Sequence, residues 1–155
     1  MSKITSTGVV LGVVADTPTT IDDDATTGFP SLTYVTVGEV VDLPPYGPTV
    51  QVVESNPLAT GITEKFKGFK NYGSISIGLE VDFDDAGQDI MSAATDGAEE
   101  NTRHSFKVTY SDGTVEYFAG KSFSFVRGPG SANSMVAATS QVEIETPVVR
   151  VAAPD

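Results

Sequence analysis

The chain has 155 residues, 39% of them hydrophobic, and sets 9 basic against 21 acidic side chains for a formal charge of −12. That length fits a single domain with one core, burying about 70% of its unfolded surface. The lack of cysteine excludes a disulfide framework and a thiolate zinc site, and the acidic balance excludes a protein that grips nucleic acid by neutralising phosphates. Gly and Pro (15 and 9 residues), abundant Val, Thr and Ser, and no long helix-period run point to a mainly β fold.

Met1-Ser2-Lys3 ahead of the apolar run Val9–Ala15 has the outline of a secretory signal. The run is short and Ile4-Thr5-Ser6-Thr7 interrupts its approach, so a first strand or an ordered arm is expected instead. It is also far too short to span a bilayer, and no membrane partner is expected. Asp16–Pro30 is rich in Thr, Asp, Pro and Gly, which predicts a segment without regular structure, mobile or ordered by a partner. Residues 1–30 are therefore expected to form an N-terminal arm. Asp22-Asp23-Asp24 within it lacks the alternating carboxylates and distal Glu of a calcium loop, so a solvated loop is expected, with no metal and no cofactor.

Leu32–Leu43 reads as one strand running into Pro44-Pro45-Tyr46-Gly47-Pro48, a stiff link that cannot pair as a central strand. Thr49–Val53 resumes strand character, Asn56-Pro57 marks a turn, and residues 62–68 read as a further strand. From Ser74 to Phe83, Ile75, Ile77, Leu79, Val81 and Phe83 alternate with Ser76, Gly78, Glu80 and Asp82, the period of a half-buried strand. Asp84 or Asp85 then caps a short helix whose apolar stripe is Ile90, Met91 and Ala94, stopped by Asp96-Gly97.

Ala98–Arg103 is a polar connection, and His104–Tyr110 alternates again. Ser111-Asp112-Gly113-Thr114 is a hairpin turn by its Asp-Gly, and Val115–Val126 returns. Arg127–Ser131 reverses once more into Met135–Thr146, where Gln141, Glu143 and Glu145 alternate with Val142 and Ile144. Residues 147–155 are left as a C-terminal arm. About seven or eight strands and one helix suit a sandwich or a partly closed barrel.

No catalytic constellation assembles from these residues. His104, the single histidine, has no nucleophile or orienting carboxylate at a telling spacing. Glu80 and Asp82 share one strand face and read as solvent-facing rather than as an acid–base pair with Asp84 or Asp85. Arg127-Gly128-Pro129-Gly130 lacks the Lys-Ser/Thr of a phosphate loop, and Phe118, Phe123 and Phe125 read as packing surface because too few cations accompany them. The chain is not expected to be an enzyme.

The order of elements is similar to that of major tail tube proteins of phages with long, flexible tails. The likeness is carried by Val37-Gly38-Glu39-Val40-Val41-Asp42-Leu43-Pro44, by Phe66–Ile75, by the helix from Asp84 to Met91, and by Phe106–Gly120 with its Asp-Gly hairpin and Phe-Ala-Gly end. It covers roughly residues 32–146. The resemblance implies a tail-tube-type β-sandwich or partial barrel with one short flanking helix, six copies joining into a ring with a continuous inner β-barrel, and rings stacked into a tube through which genomic DNA is ejected. It implies partnership with the chain itself, with tape measure, terminator and hub proteins, and with passing DNA that is not specifically bound. Its place would be the virion tail after assembly in the host cytoplasm. The segment 44–61, with Pro44, Pro45, Tyr46, Pro48, Asn56 and Pro57, is then the expected inter-ring loop. The extra C-terminal immunoglobulin-like domain of some relatives is not expected here.

Glu80, Asp82, Gln141, Glu143 and Glu145 are the candidate lumen-lining residues. A ring of six would carry about −72 (6 × −12), whose repulsion is screened beyond roughly 8 Å; it prevents DNA from sticking and does not propel it. The competing readings are a secreted β-sandwich binding or adhesion module and, within the phage class, a tail hub, a terminator or a secretion tube protein.

Overall fold

The computed structural model describes residues 3–96 and 101–153. The expected Gly97 helix stop and the start of the polar connection, residues 98–100, lie outside the described residues, as do the extreme ends of both arms. The elements run β1 (Val10–Val14), β2 (Val35–Val37), β3 (Val40–Asp42), β4 (Thr49–Ser55), β5 (Glu64–Asn71), β6 (Ser74–Glu80), α1 (Ala86–Ala93), β7 (His104–Thr109), β8 (Val115–Gly128), β9 (Ala137–Ile144) and β10 (Val149–Val151).

One antiparallel sheet follows the order β2-β1-β7-β8-β9-β6-β3, with β10 added beside β8, while β4 and β5 pair only with each other. Strands β2 and β3 stand at opposite ends of that path, yet only Gly38 and Glu39 separate them in sequence. The sheet must therefore curl until its two edges meet. What reads in sequence as one strand, Leu32–Leu43, is broken at this seam, where Glu39 takes a left-handed φ of 59°.

The curl encloses a core filled by the alternating positions of each strand: Leu11 and Val13, Ile75, Ile77 and Leu79, Phe106 and Val108, Phe118, Val142 and Ile144. Phe106 stacks on Phe118 at 5.3 Å between ring centroids. The long alternation ends earlier than its sequence suggests. Strand β6 stops at Glu80, Val81 stays half-buried, and Phe83 is 73% exposed because the chain is already turning toward α1. Helix α1 begins as its composition requires, with the Asp85 carboxylate accepting the Gln88 N–H at 2.9 Å, and buries Met91 with Ala94 following.

A second, smaller core covers the other face of β8. Phe29, in a single 3-10 turn (Phe29–Ser31), is fully buried and stacks on Tyr117 at 5.7 Å, with Ala119, Tyr34 and Val149 around it. The segment 16–30, expected to lack structure, is instead tied down. Phe29 plugs this core, the Asp16 carbonyl accepts the Ser105 hydroxyl at 2.6 Å, and Asp22 and Asp24 hold the loop's own Thr hydroxyls and amides. At the other end, β10 pairs Val149–Val151 with Val115–Tyr117, so this part of the C-terminal segment belongs to the sheet.

Phe118, Phe123 and Phe125 do not share one role. A bulge between Ser122 and Ser124 inserts Phe123, which is 65% exposed, and thereby returns Phe125 to the core side. Gly120 sits between β7 and β9, where a side chain's first carbon would collide with the Glu143 carbonyl. Gly120→Ala is expected to cost about 1–3 kcal/mol, read as a lower urea midpoint; an unchanged midpoint would show that β9 yields freely.

Candidate functional site

The outward face of β8, β9 and β6 is built by cross-strand register. Ser74 lies opposite Glu143, Ser76 opposite Gln141, Gly78 opposite Thr139 and Glu80 opposite Ala137. On the next strand Lys121 faces Glu143, Ser124 faces Gln141 and Val126 faces Thr139. The result is a wall of small hydroxyl and amide side chains with sparse charge. The Ser124 hydroxyl accepts the Gln141 N–H at 3.1 Å, and the Gln141 amide lies 3.4 Å from Glu143.

Of the five lumen candidates, Glu80, Gln141 and Glu143 stand in the ladders of this face, and two lie past the strand ends. Asp82 lies past the end of β6, where its carboxylate accepts the Asp84 N–H at 3.0 Å and shapes the turn. Glu145 lies past the end of β9, its carboxylate 2.7 Å from Arg103 and 3.9 Å from Lys121, so two cations offset its charge. Lys121 on the wall itself was missed in sequence, since nothing local marks which face a lysine takes beside a bulge.

The second surface is the β4–β5 ribbon. Its rungs include Val50–Lys70, Val52–Lys67, Val53–Phe66 and Glu54–Lys65, with a register shift at Gln51. It forms no ladder with the main sheet. From Gln51 to Asn71 nearly every residue is exposed, with Leu58 at 100%, Phe69 at 86% and Phe66 at 55%. A two-stranded hairpin alone is marginally stable in water, and apolar exposure of this extent marks an interaction surface.

The expected loop 44–61 thus separates into parts with different jobs. Pro44–Pro48 does not project. The Tyr46 ring packs 5.2 Å from Phe118, and its hydroxyl donates to Glu116 at 2.7 Å and lies 3.2 Å from the Tyr110 hydroxyl, which also bonds Glu116. Burial first, then the bonds to Tyr110 and Glu116, raise the Tyr46 pKa above the ordinary phenol value, so it remains a donor. This link is a buttress for the ribbon. Asn56 and Pro57 sit at the ribbon tip, where Asn56 accepts the Thr63 hydroxyl at 2.8 Å and Pro57 the Gly61 N–H at 3.1 Å.

Gln88, wholly unmarked in the sequence, holds the seam. Its amide donates to the carbonyls of Gly38 and Glu80, both at 2.9 Å, and its oxygen accepts the Asp82 N–H at 3.0 Å. Asp85 adds a bond from the Gly38 N–H at 3.0 Å. One helix therefore staples the curled sheet shut.

The remaining candidates have structural placements. His104 is fully buried at the start of β7, its Nδ1 3.0 Å from the Thr102 carbonyl. The Asp24 carboxyl is held below its usual range by the Thr26 hydroxyl and then by the Thr26 and Thr27 amides. Among the described residues no three His, Asp or Glu side chains gather as a metal site, and no helix is long and apolar enough to cross a membrane.

No protein-family model and no curated protein matches the chain. Solved structures do. A chain of an extracellular contractile injection system, from the structure of its sheath/tube terminator in the extended state, is 10% identical with a TM-score of 0.65, over 98% of this chain and 99% of that one. A chain in the tail of an empty gene transfer agent particle, refined with C6 symmetry, is 13% identical with a TM-score of 0.62, over 93% and 96%. The SPP1 tail tube is 13% identical with a TM-score of 0.65, over 99% and 81%. The chain shares their fold.

Proposed function

We propose that this chain is the repeating subunit of a phage-type tail tube, stacked as six-membered rings around a channel that DNA traverses. The observation that carries the reading is the ribbon: a fold common to tube structures bears a projecting hairpin whose Phe66 and Phe69 are exposed on its own. An adjacent copy is the occupant that would bury it. Strand β10 pairs only β8, which leaves its far side for further pairing around a ring.

The wall of β6, β9 and β8 lines the channel in this reading. Its chemistry suits a conduit through scarcity of cations and abundance of small hydroxyls rather than through dense negative charge. With few lysines to release counterions from a phosphate backbone, DNA gains nothing by adhering. Tubes assembled from the purified chain are expected not to retain short duplex DNA at low salt. Tubes carrying Gln141→Lys and Glu143→Lys are expected to retain it, with retention falling steeply as salt rises. Intact tubes with both lysines and no retention would contradict the assignment of this wall to the channel.

A terminator or cap is the second reading, favoured by the equally good fit to the terminator structure. It predicts a single ring that does not polymerise. Electron microscopy of the concentrated protein separates the two: stacked tubes support the first reading and isolated rings the second.

A further inference from the structure

We infer that the ribbon of one copy docks, through Val52, Lys65, Lys67 and Lys70, into an acidic-rimmed cleft at the opposite end of strand β6 in the next copy. This rests on the tube reading and adds the receptor and the force that selects it.

Ribbon and body differ in charge. On a chain of net charge −12, residues 49–71 carry Lys65, Lys67 and Lys70 against Glu54 and Glu64, so the ribbon is a cationic element on an anionic body. The register places Val50, Val52 and Glu54 with their partners Lys70, Lys67 and Lys65 on one ribbon face, where Val52 is 64% exposed and three lysines outnumber one carboxylate. Lys70, nearest the body, has its Nζ 5.8 Å from the ring centre of its own Tyr72.

The complement lies past the end of β6. A cleft of about 420 Å³ has an apolar floor of Val81, Phe83 and Met135, and Glu39, Glu80 and Asp84 stand around it. Phe83 and Met135 are 73% and 67% exposed, large apolar side chains at the surface of the single chain. Arg127 beside the cleft already lies over the rings of Phe83 and Phe125.

Placement supplies polarity. The ribbon returns to the body at Gly73, packed against Gly47, immediately before Ser74 at the start of β6, whereas the cleft opens at Glu80 and beyond. The two surfaces thus stand at opposite ends of a seven-residue strand, roughly 20 Å apart. Different patches at opposite ends make a head-to-tail contact, which propagates instead of closing as a dimer. Lysines meeting carboxylates around the exposed Phe83 ring of the cleft fix which end accepts the ribbon.

The test is a charge-reversal complementation. One variant carries Lys65→Glu and Lys67→Glu; the other carries Glu39→Lys, Glu80→Lys and Asp84→Lys and leaves the turn-forming Asp82 intact. Each alone is expected to need about tenfold more protein to form tubes. An equimolar mixture is expected to assemble like the wild type, because every ribbon then meets a cleft of opposite sign. Circular dichroism of each variant monitors folding, and Phe83→Ser, at an exposed position, is expected to weaken assembly independently. Normal tubes from the cleft variant, or from Phe83→Ser, would overturn the cleft while leaving the ribbon's role standing. A wild-type chain that forms no tubes at all would instead remove the tube reading itself.

Discussion

Replacing residues 49–71 with a short Asn-Gly connection is expected to yield a folded, soluble monomer that forms no tubes at concentrations where the intact chain polymerises. The body should tolerate the excision because the ribbon pairs only with itself and its two roots already touch. A side chain on Gly73 would begin 2.5 Å from the Gly47 carbonyl. Removing exposed Val52, Leu58, Ile62, Phe66 and Phe69 takes no apolar surface from the core. In the proposed stack, their burial between copies would be the principal apolar gain, at about 25 cal/mol per Å². The link Pro44–Pro48 must stay, since Tyr46 closes one side of the core over Phe118; deleting it would confound loss of assembly with loss of stability. Wild-type polymerisation by the shortened chain, seen by sedimentation, would show that stacking runs through other surfaces.

Gln88→Leu is expected to cost about 3–5 kcal/mol, a large share of the roughly 5–15 kcal/mol that holds a domain together. The substitution preserves volume but strands the carbonyls of Gly38 and Glu80 and the N–H of Asp82, which the glutamine satisfies together while only 4% exposed. These groups belong to the β2–β3 connection, the end of β6 and the turn beyond it, so the loss falls on the seam. Hydrogen exchange should locate the opening at residues 38–42 and 78–82 rather than across β7 and β8. Gln88→Glu keeps one acceptor for the Asp82 N–H but lacks the donor, and should lie between the two. A denaturant midpoint for Gln88→Leu within error of the wild type would mean the seam holds without the helix.

The legible parts of the fold are those decided locally. Ile75, Ile77 and Leu79 alternate into the core because β6 has one wet and one dry face, and Asp85 caps α1 because a carboxylate suits a helix start. Asp112-Gly113 forms its turn, with Gly113 at φ 95° and Asp112 accepting the Thr114 N–H at 2.9 Å. The illegible parts depend on distant partners. Nothing near Gly38-Glu39 announces that the strand must divide to reach both edges of one sheet. Phe29 reads as loop until Tyr117 arrives to stack on it. Gln141 and Glu143 were readable as outward-facing by period, whereas Glu145 depends on Arg103, about forty residues away. The ribbon's strands were partly readable, but alternation is informative only when one face is buried in the same molecule, and here neither is.

The central claim is that this chain is incomplete alone and completes itself head-to-tail in a hollow stack. Cryo-electron microscopy of the purified protein, concentrated stepwise at low salt, tests it most directly. The account predicts sixfold tubes in which the outward face of β6, β9 and β8 borders an open channel and each ribbon lies on the adjacent ring. A population that remains monomeric at every concentration, or tubes whose channel is bordered by the Phe29 face instead, would contradict it.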